Sequence, residues 1–142
     1  MTKVALKQRL NAPADKVWEL VGGFNNLPEF DPTSRWSILE AGGRDRRVGV
    51  TGGGEIVERL LHFDERAHTY SYTITELIGL EFPFTNYLST VSVAEDRPDQ
   101  SCVLHWEGSG DPLPGKTDKD VATELTSIYE GIFGELRKRF GA

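Results

Sequence analysis

Residues 117–140 read TDKDVATELTSIYEGIFGELRKRF. Val121, Leu125, Ile128, Ile132, Leu136 and Phe140 recur at helical spacing, one apolar stripe on a helix of about six turns. Thr117 or Asp118 can cap its start, and Arg137, Lys138 and Arg139 suit its negative dipole end. Gly131 and Gly134 each weaken such a helix by up to about 1 kcal/mol relative to alanine, so a close backbone approach or some give over a cavity would account for them. A helix with a single apolar stripe must bury it against something.

The preceding sequence supplies the partner. From Trp36 onward, β-branched and aromatic runs are separated by Gly, Asp and Pro, which predicts strands near 35–41, 46–51, 54–63, 68–78, 85–95 and 100–110. The turns are AGGRD (41–45), TGGG (51–54), DERAH (64–68) and EDRPDQ (95–100). Tyr70, Tyr72 and Ile74 alternate with Ser71, Thr73 and Thr75, and Tyr87, Ser89, Val91 and Val93 alternate with Leu88, Thr90 and Ser92, as in a sheet with one wet face. Upstream, KVALKQRLN (3–11) reads as a strand with a lapse at Gln8. PADKVWELVGGF (13–24) reads as a short helix stopped by Gly22 and Gly23, and FNNLPEFDP (24–32) as a shorter piece bounded by Pro28 and Pro32. The expected fold is α+β of the helix-grip kind: a curved antiparallel sheet of about seven strands around a long C-terminal helix, with two short helices after the first strand. Such a sheet cannot close on one helix everywhere, so a space is expected between them.

Composition narrows the function. At 142 residues the chain fits one domain, and no run approaches the roughly 18 apolar residues of a membrane span. The N-terminus lacks signal-peptide character, so a cytoplasmic protein is expected. Cys102 stands alone, and none of the three histidines has a partner at metal-ligand spacing, so neither metal nor any other cofactor is expected. A net charge of −6 with scattered basic residues, Arg44, Arg46 and Arg47 forming a short cluster, disfavours nucleic acid. GVTGGGEIV lacks a phosphate-loop lysine, and no Gly-x-Ser-x-Gly elbow is present.

The order and spacing of APADKVWELVGGFNNLPEFDP (12–32), EIVERLLHFDERAHTYSYTI (55–74), NYLSTVSV (86–93), SCVLHWEGSGDP (101–112) and GELRKRF (134–140) resemble the START and Bet v 1-like superfamily. Within it the likeness is to the polyketide cyclase/dehydrase and lipid-transport branch, and it covers almost the whole chain as one domain, 1–142. The resemblance implies an internal ligand cavity. It is similar also to the plant hormone receptors of that superfamily in Glu-Arg-Leu and Asn-Tyr, which implies that Glu58 and Tyr87 face inward. It further implies that 51–54, with Gly52, Gly53 and Gly54, and 80–85, with Phe82, Pro83 and Phe84, act as a lid. The receptors' own flap sequences are not reproduced here.

Several side chains could serve such a cavity. Ile56, Glu58 and Leu60 share a parity; an inward, unpaired Glu58 would have a raised pKa, whereas an arginine partner or an outward position would make it structural. Tyr72 and Tyr87 fit a cavity wall or ordinary core, Tyr70 ordinary core. The resemblance turns His105 inward, while hydrophobic parity would instead bury Cys102, Leu104 and Trp106. Trp36 fits wall or core, and Phe24, Leu27 and Phe30 could form a rim. Ile74, Ser89, Leu125, Ile128, Tyr129 and Ile132 complete the expected lining. Three functions follow: binding of a small hydrophobic molecule by a monomer or homodimer; a cyclase or dehydratase using Glu58, Tyr72, Tyr87 or His105; or an interaction protein using an outer apolar strip of Val57, Leu61 and Phe63.

Overall fold

The computed structural model describes residues 1–142. Strand β1 (Thr2–Leu10) leads to helix α1 (Ala14–Val21) and a 3-10 turn at Leu27–Glu29. There follow β2 (Ser34–Glu40), β3 (Asp45–Val50), β4 (Glu55–Asp64), β5 (Thr69–Ile78), β6 (Phe84–Arg97), β7 (Ser101–Pro112) and helix α2 (Asp118–Phe140). The strands form one antiparallel, curved sheet in the order β1-β7-β6-β5-β4-β3-β2, so a chain of hairpins is closed at one end by the return of β7 to β1.

α2 starts where its sequence can satisfy its free amides. Thr117 Oγ1 accepts from Asp120 N at 3.1 Å and Asp120 Oδ2 accepts from Thr117 N at 2.8 Å, a reciprocal capping box. Val121, Leu125, Tyr129, Ile132, Phe133 and Leu136 are its buried residues. Its C-terminal half is tied to β1: Arg137 donates to Gln8 Oε1 at 2.7 Å, and Asn11 N donates to the Gly141 carbonyl at 2.9 Å. The lapse at Gln8 in the β1 pattern is therefore a polar tether. Gly131 and Gly134 face no close backbone, since a Cβ at Gly131 would meet Pro32 only at 3.5 Å and one at Gly134 would meet Arg137 at 3.7 Å.

Two irregularities in the β4–β5 pairing re-aim side chains. The register slips between Leu60 and His62, leaving Leu61 as an extra residue on β4. Beyond it the parity reverses, and Phe63 pairs with Tyr70, stacks on its ring at 6.4 Å and lies 5.7 Å from Trp18 of α1. The expected outer strip of Val57, Leu61 and Phe63 does not form as one surface: Val57 is buried, Phe63 turns toward α1 while staying 41% exposed, and Leu61 is 54% exposed. The outer face of β2–β4 carries ion pairs, Arg47 between Glu40 and Glu55 and Arg59 on Asp45, beside the exposed Trp36 and Ile38 of β2.

Candidate functional site

Alternation along β3 separates the basic cluster at 44–47. Arg47 emerges on the outer face, while Arg46, in phase with Val48, is completely buried on the inner face. Arg46 lies opposite Glu58 in the β3–β4 register. Its Nε donates to Glu58 Oε1 at 2.8 Å and its Nη1 to the Phe24 carbonyl at 2.8 Å, and its guanidinium sits 4.2 Å from the Phe24 ring centre and 4.8 Å from that of Tyr72. The inward Glu58 is therefore paired. Burial pushes its carboxyl above the usual carboxylate range while the adjacent Arg46 pulls the other way. Burial opposes the charge on Arg46, but Glu58 and the neighbouring tyrosines outweigh it and hold the guanidinium protonated.

Beside this pair the sheet and α2 separate around a partly open cavity of about 270 Å³. Ile56, Glu58, Tyr72, Ile74 and Tyr87 line it from the sheet, Leu27 from the 3-10 turn, and Ile128 and Ile132 from α2. Its roof comes from the β5–β6 loop: Leu80, Phe82 and Phe84 line it, and the rings of Phe82 and Phe84 stack at 5.1 Å. Pro83 takes no part in the wall, its carbonyl accepting from Leu113 N at 3.0 Å. Gly52, Gly53 and Gly54 do not line the cavity either, but the two expected lid segments touch. A Cβ on Gly54, whose φ is +94°, would come within 2.6 Å of Leu80 Cδ2.

A second polar device lies in the wall. The hydroxyls of Tyr87 and Tyr129 are 2.6 Å apart, and Tyr129 occupies the space a side chain at residue 108 would need, which is why β7 carries glycine there. Burial raises all four tyrosines, Tyr129 to about 12 and Tyr72 and Tyr87 well above the ordinary value. All are poor proton donors at neutral pH.

Other expected lining residues belong elsewhere. His105 lies on the outer face between Lys7 and Ser92, because parity buries Cys102, Leu104 and Trp106. Trp36 lies outside across Gly49 and is 37% exposed. Phe24 packs on Arg46 and Tyr70, and Phe30 on Trp106, so both are core and not rim. Leu60 and Leu125 pack in the core, Tyr129 stands behind Tyr87, and Ser89 donates to the Glu107 carbonyl at 2.8 Å; none of the four lines the cavity. Sequence reading missed Asp31, Ser34, Val48, Trp106 and Glu124. Parity signalled Val48 and Trp106; Asp31 and Glu124 carried no pattern.

A curved seven-stranded sheet gripping a C-terminal helix over an internal cavity is the START-like helix-grip class. The sequence profile of the polyketide cyclase/dehydrase and lipid transport family matches residues 1–141, and the chain belongs to that family. It is similar to the structure of XoxI from Bacillus cereus, with 31% identity over 99% of this chain and 96% of that one and a TM-score of 0.92. A START superfamily protein from Mycobacterium smegmatis matches at 16% identity over 99% and 97% of the two chains, TM-score 0.79. The di-domain aromatase/cyclase BexL of the BE-7585A biosynthetic pathway matches at 20% identity over 96% of this chain and 47% of that one, TM-score 0.77. The last two likenesses establish fold alone. No helix is long and apolar enough to cross a membrane.

Proposed function

We propose that the chain binds a small hydrophobic molecule in the cavity between the sheet and α2. The observation that carries this reading is a partly enclosed space of about 270 Å³, lined mostly by apolar side chains and roofed by Leu80, Phe82 and Phe84. Pockets of roughly 300 Å³ and above hold metabolite-sized ligands, so this one suits a molecule of one or two rings more than an extended acyl chain. Saturable binding of anilinonaphthalene-type probes, displaced by components of a metabolite extract, is the expected result. Absence of saturable binding to the folded protein would remove the reading.

A second reading is an enzyme of the cyclase or dehydratase type, supported by Glu58 in the cavity wall and by the family. The pairing of Glu58 with Arg46 and the high tyrosine pKa values favour binding over proton transfer. For an enzyme, Glu58→Gln abolishes turnover with ligand affinity nearly intact; equal loss of both would identify Glu58 as structural.

A further inference from the structure

The charged residues on the cavity wall are all acidic: Asp31, Glu58 and Glu124. Glu58 is neutralised by Arg46, which is itself buried behind Phe24 and Tyr72 and does not reach the wall. Asp31 is different. It is 8% exposed, and its carboxylate accepts from Thr33 N at 2.9 Å, Thr33 Oγ1 at 2.8 Å and Ser34 Oγ at 2.9 Å, with no cation within ion-pair distance. Neutral donors hold that charge in place without cancelling it. Glu124, on α2, has no hydrogen bond or ion pair; it also borders an outer depression containing Lys116 and Lys119, so Asp31 weighs more. The hydroxyls of Tyr72 and Ser127, also on the wall, make no hydrogen bond in the protein, and the unpartnered indole N–H of Trp106 is fully buried.

A ligand placed in this space meets a negative potential within low-dielectric walls, where each charge acts more strongly than in water. A carboxylate or phosphate would be desolvated there beside two uncompensated carboxylates, and the neutral hydroxyls of Tyr72 and Ser127 carry no positive charge to offset that cost. An ammonium or a hydroxyl has acceptors waiting, and the Tyr72 hydroxyl can serve a ligand oxygen.

Resting on the binding reading above, we propose that the cavity selects its ligand by charge: it takes one- or two-ring molecules bearing an amine or other hydrogen-donating group and rejects anionic molecules such as fatty acids and aryl carboxylates. The discrimination comes from Asp31, with Glu124 assisting.

The test is a matched set on one ring system: naphthalene carrying an aminomethyl, a hydroxymethyl or a carboxylate group, each titrated calorimetrically into the intact protein at neutral pH. The expected order is amine tightest, alcohol next, and carboxylate at least about tenfold weaker than the amine. Asp31→Asn should shrink the amine-to-carboxylate ratio several-fold while leaving the alcohol nearly unchanged. Should Asp31→Asn fail to fold, Glu124→Lys at a half-exposed helix position reports instead, weakening the amine and strengthening the carboxylate. A carboxylate that binds as tightly as the amine, or a ratio untouched by either variant, overturns charge selection while leaving ligand binding intact. Failure of all three compounds to bind overturns the binding reading, and charge selection with it.

Discussion

Where β1 ends and β7 begins, Leu10 and Cys102 pair and are wholly buried, as are Leu104, Val17 of α1 and Leu136 of α2 in the same core. At the other end of the same concave face, the 3-10 turn and the β5–β6 loop face α2 around the cavity. The two ends differ first in the number of elements that converge. At the packed end α1, α2 and two strands bring side chains into one volume, whereas at the hollow end short loops arch over Tyr72, Tyr87 and Ile128. Polar groups follow the same division. The hollow half carries Arg46, Glu58 and the Tyr87–Tyr129 pair, because such groups stiffen a wall that packing alone does not hold.

The largest effect is expected at the ion pair of the hollow half. Arg46→Ala leaves Glu58 buried without its partner and should cost about 3–5 kcal/mol in denaturant unfolding. Arg46→Met combined with Glu58→Leu should recover most of it; a single variant no worse than a surface substitution would mean that the pair is solvated in practice.

The comparison itself is broken or kept by two truncations. Leu136→Ala, in the packed end, should cost about 2–5 kcal/mol, and Ile128→Ala, on the cavity wall, clearly less, because its side chain already lacks neighbours on one side. Equal losses would show that the two ends are packed alike.

Alkaline pH probes the tyrosines collectively. The chain has four tyrosines, and all have folded-state pKa values above the ordinary value of 10.0, with Tyr129 at about 12. The unfolded chain therefore loses these protons first; the associated stability is complete below pH 10 and declines as pH rises through that value toward and beyond 12. Tyrosinate absorbance should stay low in the folded protein and appear together with unfolding. A tyrosine titrating near pH 10 with the fold intact would place its ring in solvent.

The smallest effect has the opposite sign. Gly131→Ala meets nothing nearer than Pro32 at 3.5 Å and should stabilise α2 by about 0.5–1 kcal/mol in thermal unfolding. Destabilisation would mean that the helix needs to yield over the cavity.

Strand and helix order was legible in the sequence because the sheet is half wet and α2 half buried, so periodicity marks both. The inward turn of Glu58 was legible from its family likeness and its parity with Ile56; for His105 the likeness and the parity of Cys102, Leu104 and Trp106 pointed opposite ways, and the structure follows the parity. Three things were not legible. Arg46 was hidden inside a run of arginines that only strand alternation divides. Phe63 changed face through a bulge at Leu61 that no residue type announces. Asp31 and Glu124 reach the cavity by tertiary approach of the 3-10 turn and α2, a juxtaposition without a local signal.

The most direct measurement is a backbone amide NMR titration of the protein with naphthalenemethanol. Saturable shifts confined to the hollow half, at Leu80, Phe82, Tyr87 and Ile128, with Leu10, Val17 and Leu136 unmoved, are the predicted result. Shifts spread equally over both ends, or none that saturate, would contradict a ligand-binding cavity.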